Sequence, residues 1–196
     1  MAVTHEFEQF YVRWIAKANR YTMNTLGDCF DKFFTLFVTY NRLYVSATFL
    51  LRQRDPAMAK KWTSFPDGKA ATDYVLQYIS SSEFMKKIEE NQEVVNAIVR
   101  IMDLIQRERF YIKLDMVTGD RQRNKDLELL KALGSRSRNT RAKAILQVLY
   151  NIRCNMFHAH KALHPVQMDL LRPAIVVLQE VVRMLHDKMA SENNYL

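Results

Sequence analysis

Apolar residues recur along this chain at spacings of three and four, and no stretch of alternating polar and apolar positions is long enough to predict a strand. A first helix is expected from Thr4, with Glu6 and Glu8 in its opening turn where negative charge suits the helix dipole, to about Arg20. Its inward face is Phe7, Tyr11, Trp14, Ile15 and Ala18. A second begins near Asp28 and is apolar around most of its circumference through Phe33, Phe37, Tyr40, Tyr44 and Leu51, the pattern of a central buried helix. The stretch 55–69, with Asp55-Pro56, Phe65-Pro66 and Asp67-Gly68, reads as a turn-rich excursion. Further helices are predicted from Lys69 to Ser80, from Ser82 to about Leu114, from Lys125 to Leu133 with Gly134 as a left-handed cap, from Thr140 to Phe157, and from Pro173 to Met189. The expectation is all-α: residues 1–196 as a single-domain helical bundle of about six to seven helices.

Composition narrows the classes. Apolar residues make up 48% of 196, with 4 Gly and 4 Pro, which excludes a disordered, collagen-like or turn-dense all-β chain. Cys29 and Cys154 are too few for a disulfide framework, no run approaches the roughly 18 apolar residues of a membrane span, and the start MAVTHEFEQF lacks an export pattern. The setting expected from these features is cytoplasmic, with no membrane partner.

The formal net charge of +8 points to an anionic partner, and it is concentrated. The segment 121–143 carries eight basic side chains against Asp126 and Glu128, a net of +6. Arg138, Arg141 and Lys143 sit where positive charge opposes a helix dipole, at a cost of roughly 0.3–1 kcal/mol each when exposed. Together with Arg136 they are candidates for contact with an anionic polymer such as a nucleic acid, as are His160 and Lys161 beyond the helix. The bland reading is a solvated charged face.

Candidate chemistry gathers where the sixth helix ends, in Tyr150-Asn151-Ile152-Arg153-Cys154-Asn155-Met156-Phe157-His158-Ala159-His160-Lys161. On a straight helix Arg153 and His158 lie about 140° apart in azimuth and about 7.5 Å apart along the axis, so they meet only if the helix ends between them or if a second chain supplies the partner. Cys154 and His158 have the i, i+4 spacing of two zinc ligands, but no further ligands accompany them, and no metal or cofactor is expected. A Cys/His nucleophile pair lacks an orienting acid.

Arg153 and His158, with four residues between them near the end of a late helix, resemble the R-x4-6-H signature of the HEPN superfamily. Asn155-Met156-Phe157-His158 is similar to the N-x-F-H segment of stand-alone HEPN proteins, and Phe33-Phe34-Thr35-Leu36-Phe37 followed by Asn41 and Leu43-Tyr44 resembles their aromatic helix. Cys154 stands where many active members have Asn, Asp or His, and Ala159 where many have Gly. The resemblance implies a metal-independent endoribonuclease, a toxin or antiphage effector, whose site forms across a homodimer, with an antitoxin or other regulatory protein as a further partner. His158 would move protons near neutrality, Arg153 would stabilise charge at phosphorus, and Asn155 would orient the phosphate or the imidazole. Two other classes stay open: an inactive HEPN module that binds RNA, nucleotide or protein, and a helical adaptor whose basic face meets an acidic protein.

Overall fold

The computed structural model describes residues 5–55, 57–58, 64–115, 117–157 and 166–193. Among these the chain is helical, and its β character is one isolated bridge between Leu114 and Arg121. Helix α1 spans His5–Ala18 and α2 spans Leu26–Arg54. The chain continues as α3 (Asp67–Lys69), a π-helical turn (Ala70–Tyr74) and α4 (Val75–Ile79). Then come α5 (Ser81–Glu90), α6 (Gln92–Gln106), α7 (Arg123–Leu133), α8 (Arg138–Phe157) and α9 (Gln167–Asn193).

The second helix is central, as its all-round apolar pattern requires. Thr25 caps it by accepting from the Asp28 backbone N–H at 3.1 Å, and Phe33, Leu36, Tyr40, Leu43, Tyr44 and Ala47 are buried along it. Two of its buried threonines turn their hydroxyls back on the helix: Thr39 and Thr48 donate to the carbonyls of Thr35 and Tyr44, four residues earlier. Helix α9 runs parallel beside it. Arg172 near the start of α9 donates to the Met23 carbonyl just before α2, while Glu192 near its end pairs with Arg54 at the end of α2. Helix α1 packs on α2 and touches α9 at His186, which stacks on Tyr11 at 3.5 Å between ring centroids and places Nε2 2.9 Å from Glu8.

Four expectations are corrected. The long fourth helix is two, because Asn91 leaves helical dihedrals and its side chain caps α6 by accepting from the Val94 N–H; α6 then stops at Gln106, well short of Leu114, with Glu108 at φ 56 just beyond. The helix after the excursion starts at Asp67 rather than Lys69 and contains a π turn, whose Ala71 carbonyl accepts from the Tyr40 hydroxyl inside the core. Gly134 ends α7 at φ −87, not in the left-handed region, with its N–H turned back to Leu130 and Ala132. Helix α9 begins at Gln167, so Pro173 lies in its second turn, where the missing N–H forfeits one bond.

These elements put α8 against α5, α7 and the π turn through its buried stripe Ala142, Ile145, Leu146, Leu149 and Ile152. Its first residues, Arg138 to Thr140, are exposed, and Arg153 to Met156 are half-buried. No helix among the described residues is long and apolar enough to cross a membrane.

Candidate active site at the end of helix α8

Once the stripe of α8 is buried, the helical rotation of about 100° per residue assigns a direction to each polar residue of its last two turns. Arg153 turns toward α2, where its guanidinium lies 5.8 Å from the centre of the Phe37 ring. It closes one wall of an open cavity of about 390 Å³, whose other walls are Phe10 of α1 and the α2 residues Phe34, Phe37, Val38, Asn41, Arg42 and Val45. The α2 residues recur at spacings of three and four and so form one stripe of that helix. Arg42 and Arg153 are the charged members of this lining. An aromatic pocket with an amide and two cations suits an anionic group carried on an organic body.

Near Arg153 lies a hydrogen-bonded joint. Asp67 receives the Tyr44 hydroxyl of α2 on one carboxylate oxygen at 2.6 Å and the Tyr150 hydroxyl of α8 on the other at 3.0 Å. Burial, followed by the bond to Asp67, pushes both phenols above the ordinary tyrosine value, so they remain protonated donors at neutrality; the nearby Arg153 charge acts in the opposite sense on each. The joint ties α2, α3 and α8 together and holds the backbone that carries Arg153.

Asn155 does not share the cavity of Arg153. Two residues along a helix it faces about 200° away, and its side-chain amide donates to the Ile112 carbonyl at 3.0 Å. It thereby fastens the segment between α6 and α7 to the last turn of α8. Cys154, between them, has its sulfur 4.0 Å from Arg153 Nη1. No group of three potential metal ligands occurs among the described residues.

The basic candidates are divided. Arg138 donates to Ser82 Oγ at 3.3 Å and to Glu89 at 3.2 Å, Arg141 lies 3.9 Å from the other oxygen of Glu89, and Lys143 pairs with Asp73 at 2.6 Å. Two acids, Glu89 of α5 and Asp73 of the π turn, thus offset two of these three positive charges at the start of α8, and Arg136 stays exposed. His158, His160 and Lys161 lie outside the described residues.

Sequence reasoning did not assign Asn41, Arg42 and Phe10 to the site, nor Asp67 to its support. The signal for Asn41 was an amide on an otherwise apolar helix; Asp67 gave none, since an Asp-Gly pair in a turn-rich stretch is ordinary. Comparison with protein-family models, with curated proteins and with solved structures finds no match. The site therefore rests on its own geometry.

Proposed function

We propose that this protein is a metal-independent endoribonuclease of the HEPN type, acting as a symmetric homodimer. The observation that supports it is the cavity: the α2 stripe with Asn41 and the α8 residue Arg153, the two segments that carry the resemblance, line one pocket whose charged groups are both arginines. Such a pocket accepts a phosphodiester. Arg153, always charged and able to donate two N–H groups to phosphate oxygens, offsets the negative charge that grows at phosphorus when the neighbouring 2′-hydroxyl attacks. Asn41 offers an amide to the same group. In this reading His158 of each chain supplies an imidazole, one taking the 2′-hydroxyl proton and the other protonating the leaving 5′-oxygen. The products are a 2′,3′-cyclic phosphate, or its hydrolysed form, and a 5′-hydroxyl. A toxin or antiphage role follows from the resemblance.

A second reading, an anion-binding module without catalysis, is favoured by the position of Asn155, whose amide is engaged with Ile112 instead of facing the cavity. RNA cleavage in the presence of EDTA separates the two. The expected result is cleavage by the wild-type dimer and a loss of at least about 100-fold in Arg153→Ala and in His158→Ala, general acid–base catalysis contributing typically 10²–10⁴-fold. Unimpaired cleavage by His158→Ala overturns the mechanism, and RNA binding without cleavage by the wild type selects the module.

A further inference from the structure

Between α6 and α7 the described residues 110–115 and 117–122 form the two arms of a short hairpin that neither the sequence motifs nor the proposed chemistry uses. Its two arms are joined by the Leu114–Arg121 bridge and by hydrogen bonds from Asp115 N to the Asp120 carbonyl (2.8 Å) and from Gln122 N to the Lys113 carbonyl (3.0 Å). The turn is shaped by Asp115, whose carboxylate accepts from the backbone N–H groups of Val117 and Thr118, and by Gly119 at φ 75. At the base, the buried Asp126 of α7 accepts from Ile112 N at 3.1 Å and Lys113 N at 2.8 Å, while Asn155 of α8 grips the Ile112 carbonyl from the other side. The hairpin is therefore fastened to the last turn of α8, the turn that carries Arg153.

On this frame the guanidinium of Arg121 lies over the Tyr111 ring, 4.4 Å from its centre. Among the described residues no carboxylate lies within ion-pair distance of Arg121, in contrast to Arg138, Arg141 and Lys143. Lys113, two residues from Tyr111 on the same arm, is half-buried, and its backbone N–H is held by Asp126. A ring with a stacked guanidinium plane, and an ammonium two residues along the same arm, are the groups that hold an unpaired nucleotide: the planes take a base and the cations take the phosphates on either side. A duplex, with its bases already stacked, has no use for the planes.

We infer that this hairpin binds the single-stranded RNA that flanks the phosphate at Arg153, with Tyr111 and Arg121 stacking a base and Lys113 contacting the backbone. The strand would cross the end of α8, one helix diameter of about 10–12 Å, from the cavity on one side to the hairpin on the other. The inference deepens the ribonuclease reading and rests on it for the identity of the polymer. It also moves the guiding surface away from the Arg136–Lys143 region, whose Arg141 is 12 residues, about 18 Å, up the helix from Arg153.

The test is an anisotropy titration of the full-length protein with a short labelled 2′-O-methyl oligouridylate, which has no free 2′-hydroxyl and stays uncut, and with a duplex of the same length. The double variant Tyr111→Ala, Arg121→Ala is expected to bind the single strand at least about 5-fold more weakly, the loss of one stacked base. Tyr111→Phe, which keeps the ring, is expected to bind as wild type, and Lys113→Gln to lower the slope of log affinity against log salt by about one. Neutralising Arg136, Arg138 and Arg141 together is expected to change affinity less than 2-fold. Wild-type affinity in the double variant, a larger loss in the triple variant, preference for the duplex, or no single-strand binding by the wild type each overturns the inference. Cleavage is read separately on natural RNA: an uncut RNA that still binds through the hairpin removes the catalytic reading and leaves this one standing.

Discussion

The two ends of helix α8 carry polar residues of similar density and use them in opposite ways. At the N-terminal end, Arg138, Arg141 and Lys143 reach acids on α5 and the π turn across a partly exposed surface. At the C-terminal end, Tyr150 and Asn155 make one hydrogen bond each to a fixed acceptor, Asp67 and the Ile112 carbonyl, while Arg153 lines an open cavity. The first end is the more charged and the second the more organised. A concentration of charge in a sequence marks a partner only when the fold does not itself supply the counter-charge; a concentration of hydrogen-bonding groups on buried supports marks a place where geometry is being held.

The comparison makes predictions about stability that differ in size because the bonds differ in burial. The largest effect belongs to the joint: Asp67→Ala leaves the Tyr44 and Tyr150 hydroxyls without their acceptor and should cost about 3 kcal/mol, since an unsatisfied buried donor costs roughly 1–3 kcal/mol. Urea unfolding measures it, and Tyr150→Phe, which removes one donor together with its need, should cost clearly less. A cost for Asp67→Ala no greater than that for Tyr150→Phe would mean the joint does not hold the two helices together.

Next comes the anchor of the hairpin. Asp126 is fully buried with one carboxylate oxygen unpartnered, and burial pushes its carboxyl above the ordinary value against the opposing pull of the Lys113 and Ile112 N–H groups. Asp126→Ala should cost about 2 kcal/mol and speed amide exchange across residues 110–122, because both backbone donors lose their acceptor. Asp126→Asn keeps an acceptor and cannot ionise. A carboxyl whose folded pKa is raised contributes its stability at low pH and loses it as pH climbs through the folded value, so the stability of Asp126→Asn relative to wild type should rise from the ordinary carboxylate range upward. A flat difference from pH 3 to 7 would contradict the assigned cause.

The smallest effect is expected at the charged end. Glu89→Gln removes the acid shared by Arg138 and Arg141, and exposed pairs of this kind contribute about 0–1 kcal/mol. The change should shrink further in high salt. A loss above about 2 kcal/mol would show that the start of α8 is held as firmly as its end and would dissolve the contrast.

Most of the helices were legible because periodicity reports burial directly: α2 is apolar around its circumference and lies at the centre, and the stripe of α8 faces inward as its spacing requires. The break at Asn91 was not, since an asparagine inside an amphipathic run reads as one more polar position until its side chain is seen to cap the next helix. The π turn escaped for a similar reason: it depends on the Tyr40 hydroxyl 31 residues earlier taking the Ala71 carbonyl. At the site, Arg153 stood out as a cation on an apolar stripe. Its neighbours Phe10, Asn41 and Arg42 come from two other helices, and no local spacing connects them.

What the sequence determined by itself was the all-α class, the central helix, the inward stripe of α8 and the total charge, because each depends on composition or on a period of 3.6 residues within a single segment. Only the tertiary structure decided which charges meet a counter-charge and which hydrogen-bonding groups meet their acceptors. Glu89 and Asp73 lie about 50 and 70 residues from the basic groups they meet, and Asp67 lies 83 residues from Tyr150. Electrostatics and hydrogen bonding act over distance in space, and a linear pattern holds no record of that distance.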